Sequence, residues 1–259
     1  MQVVATVKHG AQLTGRPPVE GERIDQAALE YSMEEIDASV VQQAARIAAD
    51  TDGEVTAVTI APFDAVETLR YALARGADRA IRVWDPEFED FEVMTPRMKA
   101  SILDAAVDPL SPDLVLTGIE SDDDAFGTTG PMLAVSLGYG WVGSVVDLSA
   151  DVAAGEITIR RELEGRWTER RAIGLPAVAT LHAGIEPLEY ISRSALYQHT
   201  TVDRIHELTG ADLAIDPDSL RPDFHRTTIE RPTRNATELD GSPRDQAREL
   251  ARVFEKEVP

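Results

Sequence analysis

Three consecutive aspartates, Asp122, Asp123 and Asp124, stand just ahead of Gly127-Thr128-Thr129-Gly130-Pro131. Carboxylates in a row suit a hard cation such as Mg²⁺, but neighbours in one loop rarely converge on one centre, so no metal site is assigned. The Gly-Thr-Thr-Gly run leaves backbone N–H groups free to point outward. Pro131 suits the first position of a following helix, where a missing N–H costs nothing. Free N–H groups at a helix start attract anions, phosphate above all. An ordinary strand-to-helix loop with a threonine cap fits the same letters, because glycine-rich loops are weak motifs.

Such a loop needs a strand behind it and a helix ahead. Leu114–Leu116 are apolar and bounded by turn residues, as a fully buried parallel strand should be. In an open α/β sheet, ligands bind beyond the carboxyl ends of the strands, where this loop would sit. Strands are expected at Val3–Val7, Val55–Ile60, Ala80–Val83, Val142–Leu148 and Ala177–Leu181. Helices are expected from the Ser32-Met-Glu-Glu35 capping box to about Asp50, over Ala65–Arg75, over Thr95–Ala106 and over Met132–Leu137. Alternation of the two predicts a parallel sheet covered on both faces. Glu156–Leu163 and Thr168–Ile173 flank Glu164-Gly165-Arg166 and predict an antiparallel hairpin. His9–Glu30 reads as a long loop with room for a hairpin. After about Leu188 the chain turns polar, and only Arg244–Lys256 shows a helical stripe. Such an arm either docks on a partner or packs back on its own domain.

The length of 259 residues allows one large domain with an appendage. The formal net charge is -21, and Lys8, Lys99 and Lys256 are the only lysines. An acidic, lysine-poor surface suits concentrated salt, where self-repulsion is screened within a few ångströms. Binding to nucleic acid is not expected, because no basic stripe exists. Nor does any apolar run approach the ~20 residues of a membrane-spanning helix. With 0 cysteines, the sequence contains no thiolate nucleophile, disulfide or iron–sulfur ligand. The opening residues lack the features of a signal peptide, so a cytoplasmic location is expected. No serine-hydrolase elbow or Walker lysine loop occurs, the five histidines show no paired metal spacing, and no catalytic residue is assigned. Trp84, Trp141 and Trp167 fall near strand ends or the hairpin and read as core or interface.

The order of these pieces resembles the β subunit of electron transfer flavoproteins from Met1 to about Pro187. Val4-Ala-Thr-Val-Lys8 is similar to the family's first strand and lysine. Glu67-Thr-Leu-Arg-Tyr-Ala-Leu-Ala-Arg-Gly-Ala-Asp78-Arg79 is similar to its second helix and turn. Asp113-Leu-Val-Leu-Thr-Gly118 with Asp123-Asp124 and Thr129-Gly130 is similar to its nucleotide loop. Arg161-Glu-Leu-Glu164-Gly165 and Leu175-Pro-Ala-Val-Ala-Thr180 are similar to its hairpin and the strand after it. The stretch Glu34-Glu35-Ile36 stands where the family has Asn-Pro-Phe, with Asp37 retained, and Thr128 replaces a glutamine. After Pro187 the family's leucine-bearing recognition loop gives way to different residues, with Tyr190, Ile191 or Leu196 as substitute anchors.

The resemblance implies an α/β, Rossmann-like (adenine nucleotide hydrolase-like) parallel sheet with a hairpin addition. It divides the chain into a nucleotide-binding domain over 1–187 and a recognition loop plus partner-wrapping arm over 188–259. It implies an electron carrier without bond-making chemistry of its own, paired with an α subunit. The pair would share FAD, and this chain would hold a structural AMP. Acyl-CoA or other dehydrogenases would supply electrons, and a quinone reductase-type acceptor would take them. The AMP site maps onto Thr6, Glu34, Glu35, Ile36, Asp37, Ile60, Gly118, Asp122, Asp123, Asp124, Gly127, Thr128, Thr129 and Gly130. Ile60 and Ile36 are expected to sandwich the adenine. A carboxylate among the three aspartates would serve ribose hydroxyls or backbone N–H groups, since it repels phosphate. A stand-alone adenine-nucleotide sensor or ATP-using enzyme of related fold, or a structural subunit without AMP, remains open.

Overall fold

The computed structural model describes residues 1–12, 19–20, 23–25, 29–90, 94–182, 184–185, 187–198, 202–220 and 237–257. They fall into two compact units, Met1–Thr227 and Thr228–Pro259.

In the first unit, β1 (Gln2–Thr6) is the middle strand of the sheet's parallel part, pairing with β6 (Glu54–Ile60) and β8 (Leu114–Gly118). Its alternation divides the core. Val3, Ala5 and Val7 face one side, Val4 the other. Beyond β6 come β7 (Arg79–Val83) and β13 (Ile205–Leu208). Beyond β8 come β12 (Ala177–Leu181) and β9 (Gly140–Asp151), also parallel. The hairpin β10 (Glu156–Glu162) and β11 (Thr168–Gly174) extends β9 antiparallel and completes a nine-stranded sheet among the described residues. The polar stretch after Leu188 hides β13 from sequence reasoning, because only Ile205 of its four residues is fully buried.

Helices α1 (Glu35–Thr51) and α2 (Val66–Ala74) cover one face, α3 (Pro96–Val107) and α4 (Thr129–Leu137) the other. Two predicted helix starts are corrected. Ser32 does not cap α1: it belongs to β5 (Tyr31–Met33), where it pairs with Gly10 of β2 (His9–Ala11), and Glu34 takes the cap position. Helix α4 begins two residues before Pro131, so the proline sits within the first turn, where its N–H would be unbonded in any case. Thr128 precedes that turn without a side-chain cap. Thr95 caps α3 by accepting the Met98 N–H at 3.3 Å, and Pro96 follows at the first helical position.

The segment 13–30 contains a short hairpin, β3 (Val19–Glu20) with β4 (Arg23–Ile24), and is otherwise largely outside the described residues. Past Pro187, α5 (Arg193–Gln198) and α6 (Pro217–Leu220) are short. The predicted arm includes 221–236, which lie outside the described residues. The second unit is described over 237–257. There α7 (Pro243–Glu257) starts at a proline, and Ser242 accepts the Asp245 N–H at 3.3 Å. Leu250, Val253 and Phe254 on α7 are exposed.

Candidate functional site

A parallel strand ends with its last C=O and N–H groups unpaired, and neighbouring ends leave a crevice. A cavity of about 720 Å³ opens there, at the carboxyl ends of β1, β6 and β8. Thr6 and Lys8 reach it from β1, Ile60 from β6 and Gly118 from β8. Asp37 enters from the first turn of α1. The loop between β8 and α4 supplies Asp123, Asp124, Gly127, Thr128, Thr129 and Gly130. A second hollow, of about 670 Å³, holds Asp50, Asp52 and Asp151 beside the C-terminus of α1, a combination that repels anions.

Two glycines let the elements close on this cavity. A Cβ on Gly118 would stand 2.9 Å from Asp37 Oδ1 and 3.2 Å from Ile36 Cγ2, so the first turn of α1 approaches β8 only because it is absent. A Cβ on Gly130 would overlap the Thr180 methyl and stand 2.8 Å from Thr117 Oγ1, so α4 packs directly on β8 and β12. Thr129 and Gly130 of the first turn of α4, a turn whose N–H groups have no intrahelical partner, therefore line the cavity, and Gly127 precedes them at φ 61°.

Four sequence-predicted residues are not on the wall. Ile36 sets its side chain against Gly118, and Glu35 is exposed. Glu34 is 4% exposed. Its Oε2 accepts the Asp122 N–H at 3.0 Å, and its Oε1 has no hydrogen-bond partner. Asp122 thus contributes its backbone to Glu34.

The aspartates that do reach the cavity meet lysines. Lys8 Nζ donates to Asp123, to Asp124 Oδ2 at 2.8 Å and to Ser121 Oγ at 2.9 Å. Lys99, from α3, donates to Asp124 and lies 5.7 Å from the Phe126 ring centroid. Ser121 Oγ donates to Asp124 Oδ1 at 2.7 Å. The Ala11 N–H donates to Asp123 Oδ2 at 3.2 Å. This cluster ties β1, α3 and the loop into one wall. Sequence reasoning missed both cations. Their signal was scarcity, since two of the three lysines in an arginine-dominated basic set meet here.

Burial shifts every group in the cluster, and pairing decides the net direction. Burial alone would raise Asp123 and Asp124, but their lysine bonds hold both below the usual carboxylate range. Burial works against the Lys8 charge, yet the two aspartates leave its pKa raised. Lys99 is lowered, first by burial and then by the Lys8 charge, with Asp124 opposing. Asp37 is pushed up to about 7 by burial, against the Lys8 N–H that bonds its Oδ2 at 2.6 Å. Burial also raises Glu34.

On the remaining wall, His9 stacks on Tyr31 at 5.5 Å between centroids. Ile60, Trp84 and Met94 form an apolar stretch beside Lys99, with Trp84 edge-on to Phe88. Trp141 is half-exposed, and Trp167 is 73% exposed at the hairpin tip. No group of three or more His, Cys, Asp or Glu among the described residues is placed to hold a metal ion. Nor is any helix there long and apolar enough to cross a membrane. The wall offers N–H donors at one place, apolar surface at another and paired charges between, which suits binding.

A mostly parallel sheet with a cavity at its carboxyl edge and a glycine-threonine loop opening a helix defines a Rossmann-like α/β protein. The model of the electron transfer flavoprotein domain matches residues 23–203. The electron transfer flavoprotein subunit beta of Methylophilus methylotrophus is 30% identical over 262 residues, 98% of each chain. The human subunit beta is 33% identical over 165 residues, 63% of this chain and 62% of its own. Protein FixA of Rhizobium meliloti is 31% identical over 155 residues, 59% of this chain and 53% of its own. The chain belongs to the electron transfer flavoprotein β-subunit family.

Proposed function

We propose that this chain is the β subunit of a cytoplasmic electron carrier. It pairs with an electron transfer flavoprotein α subunit, and the pair shares one FAD. Electrons come from acyl-CoA or other dehydrogenases and pass to a quinone reductase-type acceptor. The flavin supplies the redox chemistry. This chain binds and orients, and makes no bonds itself. The nucleotide-binding part is 1–187. The part over 188–259 is the recognition loop and partner-wrapping arm.

The single observation that carries the reading is the cavity at the carboxyl edge, with the first turn of α4 facing it. Its donor set fits AMP. Backbone N–H groups of Thr128, Thr129 and Gly130 suit a phosphate. Ile60, Trp84 and Met94 offer apolar surface to a base, and Thr6 and Asp37 offer oxygens to hydroxyls or amines. The recognition segment has its own anchor: buried Gln42 of α1 donates to Pro187 O at 3.0 Å and accepts the Glu189 N–H at 2.9 Å. Beyond that anchor Tyr190 is 89% exposed, available to a dehydrogenase.

The test is purification from the native source in high salt, with an absorption spectrum and mass spectrometry of bound molecules. A yellow complex with a larger partner, FAD and AMP is expected. A colourless lone chain carrying ATP would overturn the reading in favour of a nucleotide sensor or ATP-using enzyme.

A further inference from the structure

Glu34 joins three elements behind the cavity wall. It stands between β5 and α1 and is 4% exposed. Its Oε2 accepts the Asp122 N–H at 3.0 Å, which ties the start of α1 to the β8–α4 loop. Strand β2 covers it closely: a Cβ on Gly10 would overlap Glu34 Oε1 and stand 2.9 Å from its Cγ. That Oε1 has no hydrogen-bond partner among the described residues. A carboxylate here would be buried with one bare oxygen, among charges mostly of its own sign. Asp37 faces it from α1, and Asp122 and Asp123 face it from the loop. Lys8, just past β1, is the opposing charge, and its Nζ already bonds Asp123 and Asp124. A neutral acid in this place costs one unmade hydrogen bond, whereas a buried charge with a bare oxygen costs far more. Burial accordingly pushes the Glu34 carboxyl up from its ordinary value, with the Asp122 N–H opposing and the Asp123 charge adding. Once charged, the group is better solvated by water, which it reaches only by parting from Gly10 and from the Asp122 N–H.

We propose that Glu34 is a proton-operated latch: as the neutral acid it holds the loop around Asp122 against α1, and on losing its proton it leaves its pocket and frees that part of the cavity wall. The loop residues on either side of Asp122, namely Glu120, Ser121, Asp123 and Asp124, line the cavity, so the latch acts on the wall whatever the cavity binds. The lysine ties at Asp123 and Asp124 do not depend on Glu34, so the motion is centred on Asp122.

The experiment is hydrogen–deuterium exchange of the full chain, in the assembly it forms, from about pH 5 to about pH 9, with each rate corrected for the intrinsic pH dependence of exchange. The parent is compared with Glu34→Gln, which keeps an oxygen for the Asp122 N–H and cannot ionise. Once Glu34 titrates, amides 119–123 of the parent are expected to lose protection by up to about tenfold per pH unit, against little change in Glu34→Gln. Loss of the Lys99 charge would loosen both proteins alike and cancels in the comparison. Asp37→Asn removes a like charge facing Glu34, so its loosening is expected to begin at lower pH than in the parent. Equal pH profiles in the parent and Glu34→Gln overturn the proposal. If Glu34→Gln is loose at every pH, Asp37→Asn decides: earlier loosening upholds the latch, and loosening at the parent's pH overturns it.

Discussion

Asp37 is a carboxyl group without room for its charge. It lies at the start of α1, is fully buried, and has a pKa pushed up to about 7 from an ordinary 3.8. The folded chain therefore holds its proton more tightly than the unfolded chain. Between those two values folding takes up a proton, so stability is full below pH 3.8 and declines as pH rises toward 7. Asp124 behaves oppositely. Its lowered pKa adds stability above the ordinary range, which is lost only as pH falls through acid values. The two windows hardly overlap. Asp37→Asn keeps an oxygen for the Lys8 N–H and removes the titration. It is expected to gain on the order of 2 kcal/mol over the parent between pH 5 and pH 8, read from denaturant melts at both. A pH-independent difference would mean that Asp37 does not titrate in this range. Glu34 is similar in kind: burial favours its neutral form.

Helix α3 carries Lys99 to the cavity, and its start is set by three residues. Thr95 caps it, Pro96 fixes the first turn, and the Thr95 N–H meets Met98 Sδ at 3.4 Å. Thr95→Ala removes the side-chain acceptor and is expected to cost about 1 kcal/mol, a fall of roughly 2–4 °C in Tm by calorimetry. Because the same turn places Lys99, the variant tests whether fraying the start of α3 loosens the loop. Faster amide exchange at residues 121–127 is the expected sign. Helix α4 depends less on a cap than on contact. Without a Cβ at Gly130 it lies against Thr117 and Thr180, which keeps its first residues on the cavity wall.

At the scale of the whole molecule, charge dominates. A formal charge of -21 from 46 acidic and 25 basic residues strains any compact state in dilute buffer. Screening over about 3 Å at molar salt, against about 10 Å at 0.1 M, relieves it. Raising salt from 0.1 to 2 M is expected to raise Tm on the order of 10 °C, a few kcal/mol at this size. A flat response would show that the acidic surface is not an adaptation to salt.

The sequence by itself determined much of this. Runs such as Leu114–Leu116 and Ala177–Leu181, short and bounded by turn residues, read as buried strands, and their alternation with amphipathic helices predicts a parallel sheet. The glycine-threonine loop marked the start of α4, because its backbone needs no distant partner to be read. Local spacing also located the hairpin at Glu164–Arg166, where Gly165 takes φ 72°. What the tertiary structure alone decided are the long-range pairings. Asp123 and Asp124 meet Lys8 and Lys99 across separations such as 115 and 25 residues, and no local pattern encodes a partner that far away. The same holds for β13, added to the sheet edge by register with β7, and for Ile36, whose side chain packing sets against Gly118. Periodicity reports which face of an element is buried; which charges then neutralise one another depends on where the folded chain brings those faces together.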